Sequence, residues 1–258
     1  MPAESDSSAT VPPGLGEDDE IRWRYQRYIK DYLRTIAAID DGVGRTLDWL
    51  DDNGLAENTI VVYTSDQGFF LGDHGWFDKR MMYEESLVMP FLIRYPAMIE
   101  PATSTAEIAL NVDFAPTFLD LAGCDVPDAM QGTSFVPLLR GETPDGWHQS
   151  MYYRYWMHGD AIHRVPAHYG VRTRTHKLIA YYNDALDQDG ALETGEAPEW
   201  ELYDLATDPA EMHNMLGDQA ANEVARRLRT ELARLQRRVG DSPHPAAERA
   251  LTERLATN

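Results

Sequence analysis

Residues 60–80 read IVVYTSDQGFFLGDHGWFDKR and join a short apolar segment to a polar, glycine-rich loop. The apolar segment, Ile60–Thr64, is rich in β-branched and aromatic residues and lacks polar alternation, which is typical of a strand buried on both faces of a parallel sheet. In open α/β sheets, ligands bind just beyond the carboxyl ends of the strands. We therefore expect a functional site in the loop at 65–80.

Predicted helices and strands alternate around this loop. Apolar residues at three- and four-residue steps predict a long helix that starts near Ile21 and ends at the turn Asp51–Gly54. A second short strand is predicted at Pro90–Arg94 and a helix at Asn111–Leu121. This order of elements indicates α/β layering.

The pattern changes after about Gly146, where several short strands and one helix predict a small α+β subdomain. The strands are predicted at Tyr169–Thr173, Lys177–Tyr182 and Glu201–Asp204, and the amphipathic helix at Val224–Val239. The predicted organisation is a disordered or truncated segment at 1–20, an α/β core at 21–145, the subdomain at 146–240 and a frayed tail at 241–258.

Composition limits the classes of partner. The 258 residues include 23 Lys and Arg against 43 Asp and Glu, a formal net charge of −20. Such a surface repels phosphate, which argues against nucleic-acid and anionic-membrane partners, although a local basic pocket or a bound cation could still take a small anion. The lone Cys124 excludes an internal disulfide framework. The sequence shows no membrane span and no signal peptide, so the chain would be cytoplasmic if expressed as given, and its natural localisation stays open.

Five residues of the loop could carry chemistry. Asp66 and Gln67 offer adjacent oxygen ligands for a hard cation such as Ca²⁺, although the same residues after a strand are also typical of a turn. His74 could donate a proton or bind an anion, or be hydrogen-bonded locally as a loop histidine. Lys79 and Arg80 could hold an anionic group, or form a solvated basic pair.

The whole stretch 64–80 resembles the C-terminal metal-and-sulfate motif of the type I, formylglycine-dependent sulfatases of the alkaline phosphatase superfamily. Further segments resemble that family in the same order, and together they extend the resemblance over about residues 22–240: 39–44, 83–96, 113–123, 131–139, 168–179 and 202–209. The resemblance implies the C-terminal part of an alkaline-phosphatase-like α/β/α sandwich, followed by the small α+β subdomain.

The resemblance also implies roles for individual residues. Asp66 and Gln67 would be two of the calcium ligands. Lys79 would contact the sulfate oxygens and help the leaving group depart, and His74 would lie near the substrate. The residues implied in substrate binding are His168, Arg172 and Arg80.

The chain departs from the family in its nucleophile. Formylglycine is made from Cys or Ser in a C/S-x-P-x-R motif, and residues 1–258 contain no such motif. Cys124 precedes Asp125-Val126-Pro127, which places the proline one position too late and provides no arginine. The paired aspartates that complete the family's metal site are likewise unassigned. The sequence therefore resembles the C-terminal half of a sulfatase, with formylglycine expected in the complete protein.

Four functions stay open at this point. The first is a calcium-dependent sulfuric-ester hydrolase that acts on a sulfated sugar or other sulfated small molecule. The second is a catalytically silent fragment, or one half of a split enzyme that docks on the missing N-terminal half. The third is a phosphodiesterase or phosphonate hydrolase of the same superfamily. The fourth is a non-catalytic sugar-binding derivative.

Overall fold

The computed structural model describes residues 11–256. Its helices and strands are, in chain order, α1 (Glu17–Asp52), β1 (Val61–Thr64), α2 (Glu84–Leu87), β2 (Phe91–Arg94), α3 (Phe114–Leu121), α4 (Val136–Leu139), β3 (Ser150–Tyr155), β4 (His168–Thr173), β5 (His176–Tyr181), β6 (Glu199–Asp204), α5 (Asn222–Val239) and α6 (Pro245–Ala256). The fold is α/β, as the sequence predicts.

The described chain divides into two compact units. The first, unit A, contains residues 11–79 and 88–102, and the second, unit B, contains residues 80–87 and 103–256. The predicted subdomain at 146–240 lies wholly within unit B, and the predicted boundary at 145–146 stays a prediction.

Helix α1 dominates unit A. It begins at Glu17, four residues before Ile21, because the acidic residues of its first turn favour the positive end of the helix dipole. It ends as predicted, with Gly54 in the left-handed region (φ 65°) and its amide donating to the Asp51 carbonyl. Of the predicted 1–20 segment, residues 1–10 lie outside the described chain, and residues 17–20 are helical.

Strands β1 and β2 pair with each other in unit A, and they run antiparallel. Val61 lies opposite Arg94 and Thr64 lies opposite Phe91. The predicted parallel pairing is therefore wrong within the described residues. The predicted burial on both faces is also wrong there, because residues 61–63 are only half-buried and Thr64 is exposed. An apolar run does not encode the direction of the neighbouring strand.

Unit B is built on an antiparallel sheet in the order β3-β4-β5-β6. Alternate residues of each strand point to one face, which packs against α5 and α6 and forms the core. Tyr169, Leu178 and Leu202 are fully buried on this face, in the same core as Leu228 and Leu232 of α5. The strands and the helix predicted after residue 146 are all confirmed.

The C-terminal residues form helix α6 rather than a frayed tail. Ala247, Leu251 and Leu255 recur every four residues and are buried in the core of unit B. The indole nitrogen of Trp200 donates to the Ala247 carbonyl at 2.7 Å, which ties α6 to strand β6. The prediction of a frayed tail at 241–258 is therefore wrong for Pro245–Ala256.

A buried carboxylate organises the loops before the sheet. Asp113 is fully buried and accepts hydrogen bonds from the amides of Leu110 and Thr133, both at 2.8 Å. His148 Nε2 lies 3.2 Å from the same carboxylate. The neighbouring Gly132 abuts the backbone of Val112 so closely that a Cβ would lie 1.9 Å from the Val112 carbonyl oxygen.

Among residues 11–256, none of the helices combines the length and the apolar character that a membrane crossing requires.

Candidate active site

The loop that follows β1 folds back on itself in unit A. The amide of Phe70 donates to the Asp78 carbonyl at 2.8 Å, and the amide of Gly72 donates to the Trp76 carbonyl at 2.9 Å. Gly72 has φ 113° and a Cβ there would lie 3.2 Å from the Tyr25 ring, so glycine is required at this position. Backbone pairing across the loop thereby brings its two ends together.

Aromatic side chains hold this loop to α1. Phe70 is fully buried and its ring meets the His74 ring edge-to-face, with 5.9 Å between the centroids. Phe77 meets Tyr28 of α1 in the same way at 4.9 Å. Such aromatic pairs contribute roughly 0.5–1.5 kcal/mol beyond their buried area. The loop is therefore a packed element and not a free surface turn.

Asp66, Gln67 and Lys79 meet where the loop closes. The Gln67 side-chain amide lies between Asp66 and Lys79, and the amide orientation that satisfies both neighbours has its nitrogen donating to Asp66 Oδ2 at 3.3 Å and its oxygen accepting from Lys79 Nζ at 3.2 Å. The hydroxyl of Ser65 lies 3.3 Å from Asp66 Oδ1 and 2.9 Å from the backbone carbonyl oxygen of Gln67. The Gln67 side chain thus links the Asp66 carboxylate to the Lys79 ammonium group.

His74 lies in the same loop, at the centre of a tight turn. Its backbone is left-handed, with φ 54° and ψ 14°, which is uncommon for a residue other than glycine and costs about 1–2 kcal/mol. Contact with the buried Phe70 ring fixes the imidazole. The structure therefore places four of the predicted residues, Asp66, Gln67, His74 and Lys79, in one loop of unit A.

The other three predicted residues, Arg80, His168 and Arg172, belong to unit B. His168 is fully buried, and its ring stacks on those of Tyr153 and Tyr155 at 5.7 and 5.5 Å. Its Nδ1 lies 2.7 Å from the Pro166 carbonyl oxygen, which requires a proton on Nδ1. Burial lowers the pKa of His168 to about 4, although hydrogen bonds to the backbones of Pro166 and Arg80 oppose the shift.

Arg172 forms part of a cluster of four charged side chains. Its guanidinium donates to both carboxylate oxygens of Glu84, at 2.8 and 3.3 Å. Lys177 is fully buried, and its Nζ lies 2.9 Å from Glu84 and 2.7 Å from Glu211. Burial alone would raise the pKa of Glu84, but hydrogen bonds from Arg172 and the charge of Lys177 hold it below its ordinary value. Burial raises the pKa of Glu211 despite the adjacent Lys177.

Sequence reasoning missed this cluster. Lys177 carried a signal, because a lysine directly before the buried run Leu178–Ala180 must find a carboxylate partner if it is buried too. Glu84 and Glu211 carried none, because they lie far from Lys177 in the sequence.

The chemistry of Asp66 and Gln67 fits a hard cation. Calcium binds six to eight oxygen ligands, and a carboxylate and an amide oxygen on adjacent residues could supply about two or three. Within residues 11–256, no group of three or more His, Cys, Asp and Glu side chains is arranged to hold a metal. Asp66 and Gln67 alone therefore supply too few ligands to complete the coordination of a hard cation.

Two family models match the chain. The model of the C-terminal region of N-sulphoglucosamine sulphohydrolase matches residues 72–238, and the sulfatase model matches residues 4–124. The chain belongs to the sulfatase family. The sulfatase match includes the whole loop with Asp66, Gln67 and Lys79, and the two matches together span nearly all the described residues.

Two proteins similar to this sulfatase chain have a sulfated glucosamine in their names or descriptions. The chain is 46% identical over 233 residues to N-acetylglucosamine-6-O-sulfatase of Bacteroides thetaiotaomicron, covering 90% of this chain and 39% of that protein. It also resembles a protein solved in complex with its substrate D-glucosamine-2-N,6-O-disulfate, with a TM-score of 0.80 and 44% identity over 91% of this chain and 44% of that one.

A phosphonate monoester hydrolase from Silicibacter pomeroyi is more distant. The TM-score is 0.71 and the identity 26%, over 88% of this chain and 43% of that one. In all three comparisons this chain spans about two fifths of the length of the protein that it matches.

Proposed function

We propose that this sulfatase chain forms part of a calcium-dependent sulfuric-ester hydrolase for 6-O-sulfated glucosamine. The observation that carries the proposal is the group of Asp66, Gln67 and Lys79, in which two oxygen donors and one ammonium meet at the closed end of the loop. The 46% identity to an N-acetylglucosamine-6-O-sulfatase supports the choice of sugar.

The residue types suit cleavage of a sulfate ester. Negative charge develops on the bridging oxygen as the S–O bond breaks, and a cation close to that oxygen stabilises the transition state. Lys79 would hold a sulfate oxygen and stabilise the leaving alkoxide. Asp66 and Gln67 would hold calcium, which supplies Lewis-acid stabilisation of the sulfate oxygens when bound. The contact between Gln67 and Lys79 would keep the ammonium beside the metal ligands.

The nucleophile lies outside these residues in this proposal. Residues 1–258 contain no C/S-x-P-x-R motif, so the formylglycine expected of the family would come from other sequence. We infer that a polypeptide with that motif, corresponding to the N-terminal half of a sulfatase, packs on unit A. Unit A exposes large apolar side chains that such a partner would cover: Leu33, Trp49, Val88 and Leu92.

A phosphonate monoester hydrolase is the second candidate, because the Silicibacter pomeroyi enzyme shares the fold of this chain at 26% identity. Phosphonate and sulfate esters present similar tetrahedral oxygens to a cation. Both esters are monoanions at neutral pH, so charge does not distinguish them, and the relative turnover of the two esters separates the candidates.

The test is a turnover assay of the chain alone and of the chain co-expressed with a motif-bearing polypeptide. We expect sulfate release from N-acetylglucosamine 6-sulfate only in the co-expressed sample, and loss of that release with Lys79→Ala. The matched control is Asp48→Asn on the exposed surface of α1, which should retain the wild-type rate.

Three other results of this assay are informative. Faster cleavage of a phosphonate monoester than of the sulfate ester would favour the second candidate. Co-purification without turnover of either ester would make the chain a catalytically silent sulfatase derivative. Tight binding of the sugar without calcium and without turnover would identify a sugar-binding derivative.

A further inference from the structure

Residues Arg80–Leu87, called the anchored segment below, lie on the face of the four-stranded sheet opposite its helices. The hydroxyl of Tyr153 on β3 donates to the Arg80 carbonyl at 3.1 Å. Met82 is fully buried over Gly170 of β4, where a Cβ would lie only 2.6 Å from the Met82 sulfur. A Cβ there would also lie 2.5 Å from the Leu178 carbonyl oxygen, so glycine at position 170 admits both Met82 and the close backbone of β5.

The other two strands hold the same segment. The hydroxyl of Tyr83 donates to Glu201 of β6 at 2.9 Å, and the amide of Glu84 donates to the Glu211 carboxylate at 2.7 Å. On β5, Lys177 approaches the Glu84 carboxylate to 2.9 Å. All four strands thus contribute to holding eight consecutive residues.

Charge balance decides what Arg172 can do here. Arg172 and Lys177 supply two positive charges, and Glu84 and Glu211 supply two negative charges. An anion-binding site needs surplus positive charge or unpaired donors directed at the ligand. Two nitrogens of the Arg172 guanidinium instead donate to the carboxylate of Glu84, at 2.8 and 3.3 Å.

We propose that Arg172 is a positioning residue, which holds the anchored segment through Glu84 and does not contact the sugar. The segment begins with Arg80, which the resemblance implies in substrate binding. The effect on the substrate rests on the proposed function, since Arg172 would act on the substrate only through the placement of Arg80. The anchoring itself does not depend on that function.

Amide hydrogen exchange of the full chain tests the anchoring without any activity. Removing a charged hydrogen bond of this kind raises the equilibrium constant for local opening of the segment that it held by about tenfold or more. We therefore expect amides 81–87 to exchange about tenfold faster in Arg172→Ala, with most of the protection restored in Arg172→Lys. The matched control is Arg174→Ala, because Arg174 is half exposed and pairs with Glu107 at 3.3 Å. Unchanged exchange of amides 81–87 in Arg172→Ala would overturn the proposal.

Turnover by the co-expressed sample separates positioning from substrate contact. If Arg172 acts through Glu84, then Arg172→Ala and Glu84→Gln lower kcat alike, and the double variant loses no more than either single variant. A rise in KM with Arg172→Ala that Glu84→Gln does not share would make Arg172 a substrate ligand and overturn the proposal. If the wild type releases no sulfate, the proposed function fails, and the exchange results alone still decide the anchoring.

Discussion

The ammonium group of Lys177 lies 2.7 Å from Glu211 Oε1, and neither side chain reaches solvent. Both ions have lost their hydration, so their mutual attraction and the contact of Lys177 with Glu84 must compensate for it. A buried pair of this kind does not make a protein stable by itself. It does make the loss of either partner costly.

Lys177→Met should therefore destabilise the protein strongly. The substitution leaves Glu211 buried without a cation, and such a change costs about 3–5 kcal/mol. Denaturant unfolding of the purified chain measures the difference. Arg174→Met, at a half-exposed arginine, is the control and should change the free energy of unfolding by less than about 1 kcal/mol. Equal effects of the two substitutions would show that the buried pair is not formed.

Gly132→Ala should also destabilise the protein. A Cβ at position 132 would lie 1.9 Å from the Val112 carbonyl oxygen, so the backbone must move, at a cost of about 1–3 kcal/mol. Gly44→Ala is the matched control, because Gly44 lies inside α1 with open space around its Cβ position. There alanine should stabilise the helix by up to about 1 kcal/mol. Melting temperatures that move in the same direction would contradict the close contact.

The buried His168 should make stability depend on pH. Its folded pKa of about 4 lies below the ordinary 6.5, so the unfolded chain binds the proton more tightly. The resulting stability is complete above pH 6.5 and is lost as the pH falls from 6.5 towards 4. Between pH 7 and pH 5, where carboxylates contribute little, the wild type should lose about 2 kcal/mol more than His168→Phe. Parallel stability curves for the two proteins over that range would contradict the assignment.

Asp66→Asn should weaken calcium binding. The substitution removes the only carboxylate of the group formed with Gln67 and Lys79, and a neutral amide oxygen is a poorer ligand for a hard cation. Calcium should raise the melting temperature of the wild type when the motif-bearing polypeptide is present, and should raise it less in the variant. Asp48→Asn should behave as the wild type. An equal calcium shift in all three proteins would count against the metal site.

The sequence predicted those parts of the site that are local. Asp66 and Lys79 lie thirteen positions apart, on one loop whose turns are marked by glycines, so their proximity follows from the fold of a single segment. The partners of Arg172 and Lys177 could not be found in this way. Glu84 lies 88 residues before Arg172, and no local pattern encodes a pairing over that separation.

The two errors in the predicted fold have different causes. The apolar run Val61–Tyr63 predicted a strand buried on both faces of a parallel sheet, but the strand is half-buried and pairs antiparallel. Apolar side chains specify neither their final burial nor the direction of the neighbouring strand. Helix α6 did carry a signal in the four-residue spacing of Ala247, Leu251 and Leu255. The charged residues between these positions obscured it, and the helix gains its stability from the core that it covers.

Calorimetric titration of N-acetylglucosamine 6-sulfate tests the central claim most directly. The wild-type chain, assembled with a motif-bearing polypeptide whose Cys or Ser nucleophile precursor is replaced by Ala so that the sugar is not hydrolysed, should bind this sugar more tightly with calcium than without it. Lys79→Met should weaken the binding about tenfold or more, because it removes a charged hydrogen bond to the sulfate. Unsulfated N-acetylglucosamine should bind equally to both proteins. Binding of the sulfated sugar that depends on neither calcium nor Lys79 would contradict the claim that Asp66, Gln67 and Lys79 form the site for the sulfate ester.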